Sequence, residues 1–198
     1  MGCLIEKEST TPEYYPLSLN SLLAAANQKS NRWPVTEYEE QDILNAISGL
    51  RSHGFAAEIT GGSRVPKYAQ RFTEKLNMGR RETALLCVLL LRGQQTVGEL
   101  KGRTERFYPF SDLDEVEMVL QKLMDRPEGA LVQKLAPAPG MKEPRYAQLL
   151  TGPVDQTHAP ANAPAHMAVS DRMAILESEV ARLSEEVREL RRRLDEVL

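Results

Sequence analysis

One pattern constrains this chain more than any other: a stretch that occurs twice. Residues 36–72 read as a capped helix, an apolar strand over 55–60, a loop over 61–66 and then Lys67-Tyr68-Ala69-Gln70-Arg71-Phe72. Residues 111–150 read in the same order: a capped helix, a strand over 130–135, a Pro/Gly loop over 136–144 and Arg145-Tyr146-Ala147-Gln148-Leu149-Leu150. The shared basic-Tyr-Ala-Gln tail recurs at a spacing of about 78 residues, and a repeat of that length fixes the architecture before any single element does. A helix followed by a two-stranded ribbon with a loose tip is how a winged helix-turn-helix ends. The expected fold is therefore mainly α with small β-ribbons (α+β): two tandem winged helix-turn-helix domains. The first spans residues 1–75 and the second residues 76–150.

Taken in order, residues 2–8 read as the last turns of a helix carrying Leu4 and Ile5. An opening core helix needs three or four turns to cover its neighbours, so this one is expected to be truncated. Pro12 and Pro16 block helix continuation. Residues 17–27 place Leu19, Leu22, Leu23 and Ala26 on one helical face, with Ser18 or Asn20 as cap. Thr36-Glu37-Tyr38-Glu39 has the form of a capping box opening a helix with Ile43, Leu44, Ile47 and Leu50 inward, stopping near Gly54.

The second unit opens with a helix over 76–92 that is apolar nearly all round and belongs at the centre of its domain. Gly93 ends it. Thr96-Val97-Gly98-Glu99 is another capping box, for a helix reaching about Arg106. Ser111 caps the third helix, where Val116, Val119, Leu120, Leu123 and Met124 keep helical spacing.

Residues 151–168 are rich in Pro and Ala, with little to bury, and read as a disordered linker. Residues 169–198 carry heptads. Met173, Val180, Val187 and Leu194 fall at one position, and Leu176, Leu183, Leu190 and Val197 fall three residues later. Valine-rich a and leucine-rich d positions predict a coiled-coil helix that pairs in parallel, making the chain a homodimer.

The formal charge of −3 gives no global attraction to nucleic acid, so any such contact must be local. Cys3 and Cys87, both in apolar contexts, read as buried hydrophobes of a reducing compartment. No apolar run approaches the roughly 18 residues of a membrane span, and Glu6-Lys7-Glu8 follows the start at once, unlike a signal peptide. A cytoplasmic location is expected.

No catalytic constellation is present. His53 falls at a helix end, His158 and His166 lie in the linker, and no His/Cys/Asp cluster has metal-ligand spacing. No cofactor, metal or small-molecule substrate is expected, and Gly61-Gly62-Ser63 reads as a ribbon tip. Both third helices open acidic, with Glu37, Glu39, Glu40 and Asp42 in one and Asp112, Asp114, Glu115 and Glu117 in the other. Carboxylates in the major groove would meet phosphates, and DNA binding runs on phosphate neutralisation. Neither helix is therefore expected to read bases. Basic residues collect elsewhere. Arg64 and Lys67 flank the first ribbon tip and Lys142 and Arg145 the second, while Lys101, Arg103 and Arg106 line the short helix. Asn27, Lys29, Asn31 and Arg32 form a polar loop expected to be an exposed contact surface.

Several long motifs carry a resemblance. Residues 3–7 (Cys-Leu-Ile-Glu-Lys), 10–20, and Asn27-Gln28-Lys29-Ser30-Asn31-Arg32 resemble the bacterial YceH family, as do Leu89-Leu90-Leu91-Arg92-Gly93 and Phe110-Ser111-Asp112. The resemblance covers roughly residues 2–150. It implies tandem winged helices and residues before this start, and it implies no activity. The reading as a whole is a non-catalytic adaptor or regulator acting through an unknown protein partner. The alternative is a DNA-binding regulator that uses its wings and basic loops.

Overall fold

The computed structural model describes residues 1–60, 65–137 and 141–152. These described residues all fall within one compact unit. The coiled-coil positions from Met173 to Val197, His158, His166, most of the expected linker and Arg64 all lie outside the described residues.

The fold is α+β. Helix α1 (Gly2–Thr10) is followed by a single 3-10 turn, a two-residue strand β1 (Leu17–Ser18), α2 (Leu19–Ala26), α3 (Glu40–Ser52), β2 (Ala56–Ile59) and β3 (Lys67–Gln70). A short α4 (Phe72–Lys75) leads to α5 (Arg80–Arg92), α6 (Val97–Thr104), α7 (Leu113–Met124), β4 (Val132–Leu135) and β5 (Arg145–Gln148). The first sheet has the order β1-β3-β2, and the second is the antiparallel pair β4-β5.

The duplication visible in the sequence continues into the hydrogen bonding. Leu17 of β1 pairs with Tyr68 of β3, and Gln95 makes an isolated antiparallel bridge with Tyr146 of β5. Directly after each of these partners comes a helix cap. Ser18 accepts the Ser21 N–H for α2, and Thr96 accepts the Glu99 N–H for α6. Each half thus runs helix, helix, helix, hairpin, with a strand-like touch before the second helix.

Three expected helix starts move, each for a local reason. The Thr36 capping box does not form. The amide of Asn27 pins Tyr38 in both directions, donating to its carbonyl and accepting its N–H, each at 2.8 Å. The chain stays extended, and Glu39 with Asp42 makes the box for α3 instead. The helix expected from Leu76 begins at Arg80, because Asn77 stands in the left-handed region at φ 48° and breaks α4 from α5. Asp112, rather than Ser111, caps α7, with its carboxylate accepting the Glu115 N–H at 2.8 Å; Ser111 holds the Glu115 side chain.

The core explains why the two halves form one unit. α5 buries Ala84, Leu85, Leu86, Cys87, Val88, Leu89 and Leu91, as its all-round apolarity predicted. Ile5 of α1 and Phe72 of α4 belong to that same cluster, together with α7 and the β4-β5 hairpin. Leu4, one residue before Ile5, faces the other way into a smaller core with Leu17, Leu22, Ile43, Ile47 and Tyr68. α1 is therefore shared: one face closes the first repeat and the next closes the second.

Candidate functional site

The polar loop after α2 is built inward. Arg32 is 7% exposed, and Glu6 of α1 is fully buried opposite it. Arg32 Nη2 lies 2.5 Å from Glu6 Oε2. The guanidinium also donates to the Ala25 carbonyl through Nε and Nη2 and to the Asn31 carbonyl through Nη1. Burial alone would lower the Arg32 pKa, but the hydrogen bond to Glu6 leads the effects that raise it. Asn31 holds φ at 57°, a conformation asparagine tolerates, and its Oδ1 accepts from Arg92 Nη1 at 3.1 Å. Trp33 N–H donates to the Leu91 carbonyl at the end of α5. The exposed four-residue contact surface expected here is therefore not what the loop presents. Asn27, Asn31 and Arg32 tie α1, α2, α3 and α5 together, and only Lys29 is open.

Around the start of α6 the basic residues are also engaged. Arg145 reaches Glu99 at 3.1 Å and the Gln94 carbonyl at 2.8 Å. Arg103 reaches the other Glu99 oxygen at 3.4 Å, while Glu99 Oε2 also accepts the Thr96 N–H. Lys101 is half-buried, as is Lys67 in β3, and Lys142 beside the second tip is exposed.

Three further residues complete this region: Glu6 and Arg92, whose charges sequence reasoning did not use, and Arg106, read with Lys101 and Arg103 as lining the short helix and found just past the end of α6. Glu6 takes Arg32 on one oxygen and Arg106 on the other, so one buried carboxylate joins both halves. Among the described residues, Arg92 Nε and Gln95 Oε1 are the buried side-chain polar atoms with no hydrogen-bond partner. The Arg92 pKa is lowered, by burial first and then chiefly by the charge of Arg103, with Arg106 and Arg32 adding to it against the opposing pull of Glu99.

The third helices keep their acidic openings at the surface. Glu39, Asp42 and Asp112 cap, and Glu37, Glu40, Asp114 and Glu117 are exposed without capping. On α7 two apolar side chains stand among them, Leu113 at 48% and Met118 at 64% exposure. Beside them Tyr108 packs edge-on against Phe110 at 4.9 Å, and Arg81 lies 5.3 Å over the Tyr108 ring. A second apolar lip, Trp33 and Tyr38, borders a groove of about 430 Å³ floored by Leu22, Ile43 and Ile47, and Val35 between them in sequence is exposed.

His53 caps α3, its Nδ1 being 2.8 Å from the Gly49 carbonyl. No group of three His, Cys, Asp or Glu among the described residues could hold a metal ion. No described helix is long and apolar enough to cross a membrane.

Residues 1–141 match the family described as "Protein of unknown function, DUF480". The chain is 50% identical to a UPF0502 protein of Solibacter usitatus, over 98% of this chain and 94% of the relative. It is 48% identical to a UPF0502 protein of Vibrio atlanticus over 100% and 94%, and 44% identical to the UPF0502 protein YceH of Escherichia fergusonii over 100% and 92%. The chain belongs to the UPF0502 family of bacterial proteins, the one to which YceH belongs.

Proposed function

We propose that this chain is a cytoplasmic, non-catalytic protein of two tandem winged helices, dimerised through residues 169–198, that works by docking a protein partner on α7. One observation carries this reading: the open face of α7 is acidic and also apolar. In a winged helix the third helix is the one offered to the major groove. Asp114 and Glu117 there would repel phosphates, whereas Leu113 and Met118, with Tyr108 and Phe110 behind them, supply the apolar centre and charged rim of a protein interface. Charge complementarity selects a partner with a basic rim. Trp33, Val35 and Tyr38 offer a second apolar contact.

The test is a photo-crosslinking residue at position 118 of the full-length chain in a bacterial host. A protein adduct lost on changing Asp114 and Glu117 to lysine supports the reading. A crosslink from position 118 to duplex DNA overturns it. A second reading, sequence-tolerant contact with nucleic acid, draws on Lys29 and Lys142, which are both exposed. Duplex binding that weakens steeply between low and physiological salt, and is lost on neutralising those lysines, would favour it.

A further inference from the structure

A cavity of about 390 Å³ opens where α1, the start of α5 and the segment after α6 meet. Helical spacing supplies most of its wall. Ile5, Glu8 and Ser9 stand on one face of α1, and Arg80, Thr83 and Ala84 on one face of α5. Thr73 and Met78 enter from α4 and the link after it, and Arg106 and Phe107 from just past α6. Ile5 and Ala84 are buried, while Met78 and Phe107 are half-buried.

Two guanidinium groups line this one space. Arg80 is exposed and makes no hydrogen bond or ion pair among the described residues. Arg106 is held in place: Nη2 lies on Glu6, and Cζ stands 4.8 Å from the centre of the Phe107 ring. Glu6 already answers Arg32, so its single charge does not neutralise Arg106 as well. The other polar groups are mostly acceptors. Ser9 spends its hydroxyl proton on the Ile5 carbonyl at 3.1 Å, and Thr83 spends its own on the Gly79 carbonyl at 2.8 Å. The Glu8 carboxylate is fixed by the Gln70 amide at 2.6 Å. The same Gln70 nitrogen donates to Thr73 Oγ1 at 2.8 Å, which leaves the Thr73 proton uncommitted among the described residues.

A ligand that satisfies this set brings an anion for the arginines and hydroxyl donors for Glu8, Ser9 and Thr83. A bare anion would meet the repulsion of Glu8 with nothing in return. The terminal oxygens of a phosphate monoester can accept from two guanidiniums and the Thr73 hydroxyl at once. The volume falls within the roughly 300–1,000 Å³ of small-molecule sites. We propose that this cavity binds a small phosphorylated polyol, of the sugar phosphate class. Arg80 and Arg106 take the phosphate, and Glu8, Ser9 and Thr83 take the hydroxyls. The site shares no residue with the α7 face, so it stands whether or not a protein docks there. A bound ligand would tie α1 to α5 and so strengthen the joint between the halves.

The experiment is calorimetric titration and thermal unfolding of the full-length chain with ribose 5-phosphate, glucose 6-phosphate and glycerol 3-phosphate. Ribose, inorganic phosphate and serine at matched ionic strength are the controls. At least one phosphorylated polyol should bind saturably, raise the midpoint and bind about tenfold more tightly than inorganic phosphate. Ribose and serine should not bind. Arg80→Gln should weaken the polyol phosphate about tenfold, the scale of one charge-assisted hydrogen bond. It should leave the ligand-free midpoint in place, because Arg80 has no partner among the described residues to lose. Arg106→Gln should weaken binding too, but it also takes a partner from Glu6, so Arg80→Gln is the deciding variant. Ser9→Ala should weaken the polyol phosphate and leave inorganic phosphate unchanged. No saturable binding of any of the phosphorylated polyols, or binding that Arg80→Gln leaves unchanged, overturns the site. Inorganic phosphate binding as tightly as the best polyol phosphate overturns the polyol, and serine binding in their place overturns the phosphate.

Discussion

Arg32 shows how far a residue's sequence context can mislead. It sits in Asn27-Gln28-Lys29-Ser30-Asn31-Arg32, six hydrogen-bonding side chains in a row, which as composition says exposed loop. What buries it is Glu6, 26 positions earlier, and no periodicity links the two. Sequence reasoning predicts that alanine at Asn27, Lys29, Asn31 and Arg32 spares the thermal midpoint; the structure predicts that it does not. Arg32→Ala alone takes one of its two guanidinium partners from a fully buried carboxylate and leaves Arg106 on the other oxygen, a loss on the order of 3 kcal/mol, while Lys29→Ala should change almost nothing. Urea unfolding of both variants checks this. Converting Glu6 and Arg32 together to methionine should recover part of the loss, because the buried charges leave together and Arg106, 41% exposed, is released to solvent rather than stranded. Cys87 was better served by its context: an apolar helix put it inside. Burial pushes its thiol well above the ordinary range. Iodoacetamide at mildly alkaline pH should therefore label Cys3, which is half-buried, well before Cys87, whose labelling should wait for unfolding. Comparable rates read by peptide mass spectrometry would refute that burial.

At the scale of elements, helices were legible wherever apolar residues recur at helical spacing, and their ends were legible only where the cap is local. Thr96 with Glu99 formed as read because both partners lie within one turn. The Thr36 box failed because a side chain from another element, Asn27, holds Tyr38 extended. Asn27→Ala removes both hydrogen bonds and should cost about 1–2 kcal/mol, with faster amide exchange over 36–39 and little change in α5. Even loss of protection across the chain would show that the contact is global. The clamp between α5 and α7 was not legible at all. Glu82 in the first turn of α5 takes Lys122 of α7 at 2.5 Å, across 40 positions. Burial pushes the Glu82 carboxyl up, but the Lys122 hydrogen bond, the helix amides and the charges of Lys122 and Arg126 outweigh it and leave it below the ordinary 4.5. A folded pKa below the unfolded one adds stability above the unfolded value and loses it as pH falls through the folded one. Glu82→Gln should therefore lower the midpoint at pH 7 and make unfolding less acid-sensitive below about pH 4.5. Parallel acid limbs for the variant and the parent would show that the pair contributes nothing.

For the whole molecule, the repeat was the strongest signal, yet it suggests two independent cores where the packing gives two clusters closed by one helix. Alternation along α1 decides this. Leu4 turns into the first cluster and Ile5 into the cluster around α5, so a helix of 9 residues closes both. Glu6, the next residue, adds a buried carboxylate bridging Arg32 from the first half and Arg106 from the second. Three successive residues thus couple the halves, and a pattern search that assigns each helix to one domain cannot register them. The consequence is cooperative unfolding. Leu4→Ala and Ile5→Ala should each cost about 2–5 kcal/mol, since both side chains are nearly inaccessible. The informative feature is the form of the loss. If the halves unfold as one, each variant shifts a single transition. Helical signal by circular dichroism and the fluorescence of Trp33, which lies in the first half, would then fall together. If the halves were independent, Leu4→Ala would bring the Trp33 transition down alone and leave α5, α6 and α7 folded behind it. Coincident transitions in both variants are the outcome this core requires, because removing either face of α1 withdraws the lid from one cluster and the shared buried ion pair transmits the loss to the other.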